Sequence, residues 1–293
     1  GHLEVLQWLR AQDCPWAEDA CEAAIQRGDQ KMVQWAHDNG CPRSPAACSV
    51  AAQHGHLDLL QWLRAEGCPW DGTSCQSAAQ GGHLAILQWL RLEGCPWDHT
   101  TCVAAAAGGH ITVLEWARAQ GCPWGDSTTD AAARAGQIET LQWLREFGCP
   151  WSTNVCTSAA SGGHLEVLQW ALRYGCQIDR TAALSQAASE GHLDVLKWLN
   201  VNGCPVGGTA TDLTLCGAAA TNGHKDVVQW LREQGCRWHP ELTSFAAAGG
   251  HLELLQWARR AGCPWSPRVI DAATKAGHKD IVEWARRVGT PLH

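Results

Sequence analysis

Residues 81–107 read GGHLAILQWLRLEGCPWDHTTCVAAAA, and most of the chain is variation on that unit. Leu84, Ile86, Leu87 and Leu90, with Trp89, recur at helical spacing and give one apolar face from about His83 to Glu93. Gly94 follows, where a left-handed, helix-ending residue is expected. At a rise of ~1.5 Å per residue this helix is about 16 Å long, too short to be stable alone. A second, Ala-rich helix is predicted from Thr100 to Ala107, stopped by Gly108 and Gly109. Ser or Thr recurs at or near its start (Thr73, Thr100, Ser127, Thr214), as an N-cap requires. Neither helix can bury its face without a neighbour, which predicts a stack.

Outward from this unit, the Gly of each GHL-like turn falls at 1, 28, 55, 82, 109, 136, 163, 191, 223, 250 and 277. The spacing is 27 six times, then 28 and 32, then 27 twice. Acids cluster in the first turn of the longer helix (Asp58, Glu139, Glu166, Glu253) and Arg in its last turn (Arg64, Arg91, Arg118, Arg145), a polarity that suits the helix dipole. The prediction is an all-α solenoid of ten to eleven helix–loop–helix repeats over residues 1–293, with one irregular long junction at 204–216.

Repetition also explains a skewed composition of 16 Cys and 18 Trp against two Phe, one Tyr and one Met. The net charge of −7 comes from mixed signs, and no basic stripe is present to neutralise phosphates, so no nucleic-acid partner is expected. No apolar run approaches the roughly 20 residues of a membrane span, and the opening GHLEVLQWLR is not a signal peptide. Neither end carries a polar capping repeat, which predicts a segment of a longer array or ends covered by partners.

The segment AAxxGHLxxLxWLRxxG resembles the second half of the ankyrin repeat: small residues closing helix one, a Gly-His turn, helix two and a terminal Gly. The resemblance covers essentially the whole chain. It departs from the family at the start of helix one, where Thr100-Thr101-Cys102-Val103 stands in place of TPLH. The unit is also six residues shorter than the usual 33, which implies shortened or absent β-hairpin fingers. Short Trp- and Cys-rich ankyrin arrays of this kind occur in algae, oomycetes and large DNA viruses. The resemblance implies a protein–protein interaction module, an adaptor whose concave helix-one face and loop tips meet a partner. The alternative is a structural scaffold or spacer within a larger assembly.

One Trp column (Trp8, Trp35, Trp62, Trp89, Trp116, Trp143, Trp170, Trp198, Trp230, Trp257, Trp284) stands where ankyrins usually carry Leu and reads as core. A second (Trp16, Trp70, Trp97, Trp124, Trp151, Trp238, Trp265) follows the loop Pro. Val206 and Ile178 replace it in a packing sense and Arg43 in an exposed one, so loop packing and a recognition ridge both stay open. The cysteines fall into a loop register (Cys14 through Cys263) and a helix-one register (Cys21, Cys48, Cys75, Cys102, Cys156, Cys216). Equivalent atoms of adjacent repeats should sit about 10 Å apart, too far to share a tetrahedral zinc. Thr129, Leu184, Thr243 and Ile270 replace the helix-one cysteine, which marks a core position. The reading is sixteen structural thiols, no metal and no cofactor, in an intracellular reducing compartment, the cytoplasm foremost.

Nine histidines occupy the Gly-His turn, with Asp29 and Gln137 in the other two places; capping or turn stabilisation is the role these three residue types share. No nucleophile–base set or phosphate loop stands out, so no catalytic activity is expected. Specificity in a solenoid must come from positions that differ between repeats. The candidate protein-binding residues are Trp70, Gln76, Trp97, Asp98, His99, Trp124, Asp126, Asp130, Arg134 and Trp151, with Val206–Thr214 as a further candidate contact loop.

Overall fold

The computed structural model describes residues 2–12, 14–16, 18–41, 45–207 and 212–288. Among the described residues there are 21 helices and no strand, so the finger hairpins are absent there. A short Ala-rich first helix alternates with a Trp-bearing second helix: Gly72–Gln80 then Leu84–Leu92, His99–Gly108 then Ile111–Ala119. The second helix ends as expected, with Glu93 as C-cap and Gly94 beyond it at φ +78°.

The chain divides into two units, Gly1–Ala132 with Gln137–Trp151, and Ala133–Gly136 with Ser152–His293. In the first unit, helices Glu18–Gln26, Pro45–Gln53, Gly72–Gln80 and His99–Gly108 pack side by side in order. In the second, Asn154–Ser161, Arg180–Glu190, Asp212–Thr221, Glu241–Ala248 and Val269–Ala276 do the same. First helices can lie this close because they meet through Ala78, Ala79, Ala105 and Ala106, all wholly buried. Leu87, Leu90 and Leu114 of the second helices close the core at 0% exposure. Each such side chain contributes roughly 1.5–3 kcal/mol relative to leaving it in water.

Three expectations change. The helix-two tryptophans are not the sealed core: Trp89, Trp116, Trp143 and Trp257 are half-buried, Trp8 is 62% exposed and only Trp230 is buried. The i, i+3 face of Ile86, Leu87 and Leu90 already fills the interior, which leaves the ring at the adjoining edge. At Gly72–Gln80 and His99–Gly108 the first helix is capped by Asp and not by the Thr: Asp71 Oδ1 accepts from the Thr73 N–H at 2.9 Å and its hydroxyl at 2.5 Å, and Asp98 accepts from Thr100 at 2.8 and 2.5 Å. Thr, two residues on, supplies both donors to the cap.

Finally, the cysteines are not all thiols. Cys21 and Cys41 form a disulfide across 20 residues, and the other fourteen are unbridged. The reason is a contact between registers: the helix-one cysteine faces the loop cysteine 20 residues later, although equivalent cysteines of adjacent repeats stay apart.

Candidate functional site

Each loop is built from the end of the second helix. The last-turn Arg reaches forward and donates to the loop Cys carbonyl, Arg91 to Cys95 at 2.5 Å and Arg118 to Cys122 at 2.8 Å. The same guanidinium lies over the loop Trp ring, at 4.2 Å for Arg64 on Trp70, 4.4 Å for Arg91 on Trp97, 4.2 Å for Arg118 on Trp124 and 5.0 Å for Arg145 on Trp151. Such cation–π contacts contribute about 0.5–1 kcal/mol at exposed sites. The loop Trp then meets the second-helix Trp of the next repeat, Trp70 with Trp89 at 5.5 Å and Trp97 with Trp116 at 5.7 Å between ring centres. The loop tryptophans are thus packed on both sides and still half-exposed. The two readings left open by sequence are both realised in one ring.

The turn histidines bond a helix end as expected, but the end they serve is that of the preceding repeat. His83, His110, His192 and His251 make no side-chain cap on their own helix. Each Nε2 reaches back to a first-helix carbonyl of the preceding repeat: His83 to Gln53 at 3.0 Å, His110 to Gln80 at 2.9 Å, His192 to Ser161 at 2.9 Å, His251 to Thr221 at 2.9 Å. A carbonyl can only accept, so Nε2 carries the proton. Gln137 makes the same bond to Ala107 at 3.3 Å, whereas Asp29 caps its own helix through Met32. The ring lies on the preceding turn glycine: a Cβ on Gly82, at φ +76°, would stand 2.6 Å from His110. The Gly-His pair is one latch split between two repeats.

Gln76, Trp97 and Asp98 are brought together at one groove of about 410 Å³ between successive loop tips, with Asp71, Gly72, Thr73, Pro96 and Thr100. Asp98 is a helix cap, and its hydrogen bonds from Thr100 hold the carboxyl below its ordinary pKa of 3.8. His99 is exposed at the same loop. Trp70 belongs to the preceding loop and Trp124 to the next; Asp126 and Asp130 lie on the helix Asp126–Arg134 that follows it, where Asp126 accepts from the Ser127 N–H. The guanidinium of Arg134 is engaged by Ser161 Oγ at 2.8 Å. Trp151 lies under Arg145 and outside that groove. Of the long junction, residues 208–211 lie outside the described residues; Val206 is buried and its N–H is held by Asn200.

Sequence reasoning missed a second line of grooves on the helix-two side. One of about 430 Å³ is lined by Gln88, Arg91, Leu92, Trp97, Trp116 and Gln120, and one repeat later Glu115, Arg118, Trp124, Trp143 and Phe147 line another of about 420 Å³. The signal was available: Leu92 and Phe147, 85% and 57% exposed, stand in columns that elsewhere are mostly small or polar, such as Ala65 and Glu146 for the first and Glu93 and Gln120 for the second.

The loop thiols without a cysteine partner offer no nucleophile. Burial pushes Cys149 and Cys263 up to about 12, far above the pH at which a thiolate would form. Among the described residues no group of three or more His, Cys, Asp or Glu side chains is placed to hold a metal ion, and no helix is long and apolar enough to cross a membrane.

Against known families, residues 130–210 and 156–241 match the model described as ankyrin repeats (3 copies), and residues 46–91 match that described as ankyrin repeats (many copies). Together the matched segments cover more than half of the chain. Among curated proteins none matches.

Proposed function

The chain belongs to the ankyrin repeat family, whose repeats are in general non-enzymatic protein-interaction modules, and we propose that it is an adaptor that grips a protein partner along its first helices and loop tips. One observation carries this reading. The groove at Gln76, Trp97 and Asp98 sits on a framework that repeats, but the first-helix position lining it changes from Gln76 to Val103 to Asp130 in successive repeats. A constant scaffold with a changing wall is how a repeat array reads an extended partner surface residue by residue. The capped aspartates and the Arg-clamped tryptophans keep those walls rigid, which lowers the ordering cost of binding.

The recurrent polar side chains support a role without catalysis, since histidine, arginine and capping aspartate are each committed to holding the stack. A reducing, cytoplasmic setting draws its support from the fourteen unbridged cysteines, thirteen of them buried, and none from the bridged Cys21 and Cys41. The spacer alternative draws on the helix-two grooves, where exposed Leu92 and Phe147 would be covered in an assembly.

A photo-crosslinking residue at Gln76 identifies the partner, and affinities of point variants then test the surface. Gln76→Arg and Asp130→Arg are expected to weaken binding at least tenfold, and Gln88→Arg on the second-helix face less than twofold. The reverse ranking would move the docking surface to the second helices and favour the spacer.

A further inference from the structure

Every helix-one cysteine has a loop cysteine 20 residues later: Cys21/Cys41, Cys48/Cys68, Cys75/Cys95, Cys102/Cys122, Cys156/Cys176 and Cys216/Cys236. The converse fails, since Cys149, Cys204 and Cys263 face Thr129, Leu184 and Thr243 in the same register. At the first of these pairs the two sulfurs are joined, with Cα atoms 7.0 Å apart, at the long edge of what a disulfide spans. At Cys75/Cys95, Cys102/Cys122 and Cys156/Cys176 the two thiols lie near enough that the loop sulfur, with burial, pushes the helix-one thiol up. The loop sulfur is also fixed from the other side, because Cys95 donates to the Asp71 carbonyl and Cys122 to the Asp98 carbonyl, each at 3.2 Å. That carbonyl belongs to the residue that caps the helix carrying the partner cysteine. One loop geometry, set by the Arg and Asp contacts, thus delivers sulfur to sulfur in repeat after repeat.

We propose that these pairs are a ladder of disulfide-forming sites, each closed by exchange with a small-molecule disulfide so that an oxidised array is pinned once per Cys-bearing repeat. The loop thiolate attacks one sulfur of the small disulfide and expels its first thiolate. The helix-one sulfur, after losing its proton, attacks the loop sulfur of the mixed disulfide and expels the second. Two protein thiols and one small disulfide give one protein disulfide and two small thiols, so the two electrons leave on the small molecule. The loop cysteine is the attacking member: the Cys75 side chain holds the Cys95 thiol below the usual range, while Cys95 and burial push Cys75 up. All of these sulfurs are buried, at 7% exposure or less, so exchange in the folded chain waits on local opening of a repeat.

The test refolds the full reduced chain in glutathione buffers from strongly reducing to strongly oxidising, quenches with acid, alkylates and maps the links by mass spectrometry. At the oxidising end the links expected are 48–68, 75–95, 102–122, 156–176 and 216–236 beside 21–41, while Cys149, Cys204 and Cys263 stay open to alkylation or carry single glutathiones. Links that scramble between repeats, or pairs that carry glutathione on both members without closing, would overturn the proposal. Cys75→Ser supplies a second reading: Cys95 should then appear as a glutathione adduct or a thiol and the other pairs should still close. The oxidised chain should unfold at higher urea than the reduced one and return on adding reductant; coincident curves would remove the pinning role.

Discussion

Replacing His110 by alanine tests the inter-repeat latch with the fewest side effects. The imidazole donates from Nε2 to the Gln80 carbonyl at 2.9 Å and covers the turn at Gly82 and Gly108. A net intramolecular hydrogen bond contributes about 0.5–1.5 kcal/mol, and the ring contact adds roughly 0.5–1 kcal/mol by buried apolar area. His110→Ala should therefore cost about 1–2.5 kcal/mol. His110→Gln should cost less than about 0.7 kcal/mol, because Gln137 already performs this function one repeat later through its own bond to Ala107. Equilibrium urea unfolding followed by far-ultraviolet circular dichroism measures both. The latch joins neighbouring repeats, so the alanine variant should also broaden the transition, as weaker nearest-neighbour coupling does in a linear array. Equal losses for Ala and Gln would refute the reasoning, since the latch would then be imidazole packing alone. A loss below about 0.5 kcal/mol for Ala would mean that the bond is exchanged for water without cost.

Further outcomes are expected from the same framework. Gly82→Ala should cost about 1–2 kcal/mol for the left-handed backbone at φ +76° plus the collision with His110, and the collision part should vanish in the His110→Ala background, giving a coupling measurable by a double-mutant cycle. Leu87→Ala, at a wholly buried site, should cost about 2.7–5 kcal/mol in the same denaturation assay. Asp98→Ala should cost about 0.5–2 kcal/mol and Asp98→Asn much less. Because Asp98's folded-state pKa is depressed, its contribution is complete above the ordinary value of 3.8 and is lost as pH falls below it, so acid titration should bring the wild type and the Ala variant together. Arg91→Lys, which loses the planar stack on Trp97, should raise exposure of the loop in hydrogen exchange without changing the helical content.

Much of the fold was legible because it depends on spacings inside one unit. The i, i+3, i+4 run from Leu84 to Leu90 and the glycine at 94 gave the second helix and its end, and the Ala run at 104–107 gave the close-packed first helix. The cap was misread because Thr100 and Asp98 both suit an N-terminus. Sequence does not say that the carboxylate two residues earlier would take both the Thr N–H and its hydroxyl. Of the candidate site, Gln76, Trp97 and Asp98 did converge on one groove, whereas Arg134 turned to Ser161 and the loop at 208–211 lies outside the described residues.

What stayed hidden has a common cause. Reading a repeat column by column asks what each position tolerates, and by that measure His, Trp and Cys look like independent structural fixtures. The contacts that matter run between columns, and so at separations near 27 but not equal to it: 19 from Trp97 to Trp116, 20 from Cys75 to Cys95, 24 from Asp71 to Cys95, 30 from Gln80 to His110. Helix-one Cys never occurs without its loop partner, and the latch residue is His or Gln wherever the bond back is made. Those are dependences between positions. They follow from stacking units that each complete their neighbour, so a substitution in one repeat is felt first in the next. That is why the tests that separate binding surface from scaffold pair a residue with its partner one unit away.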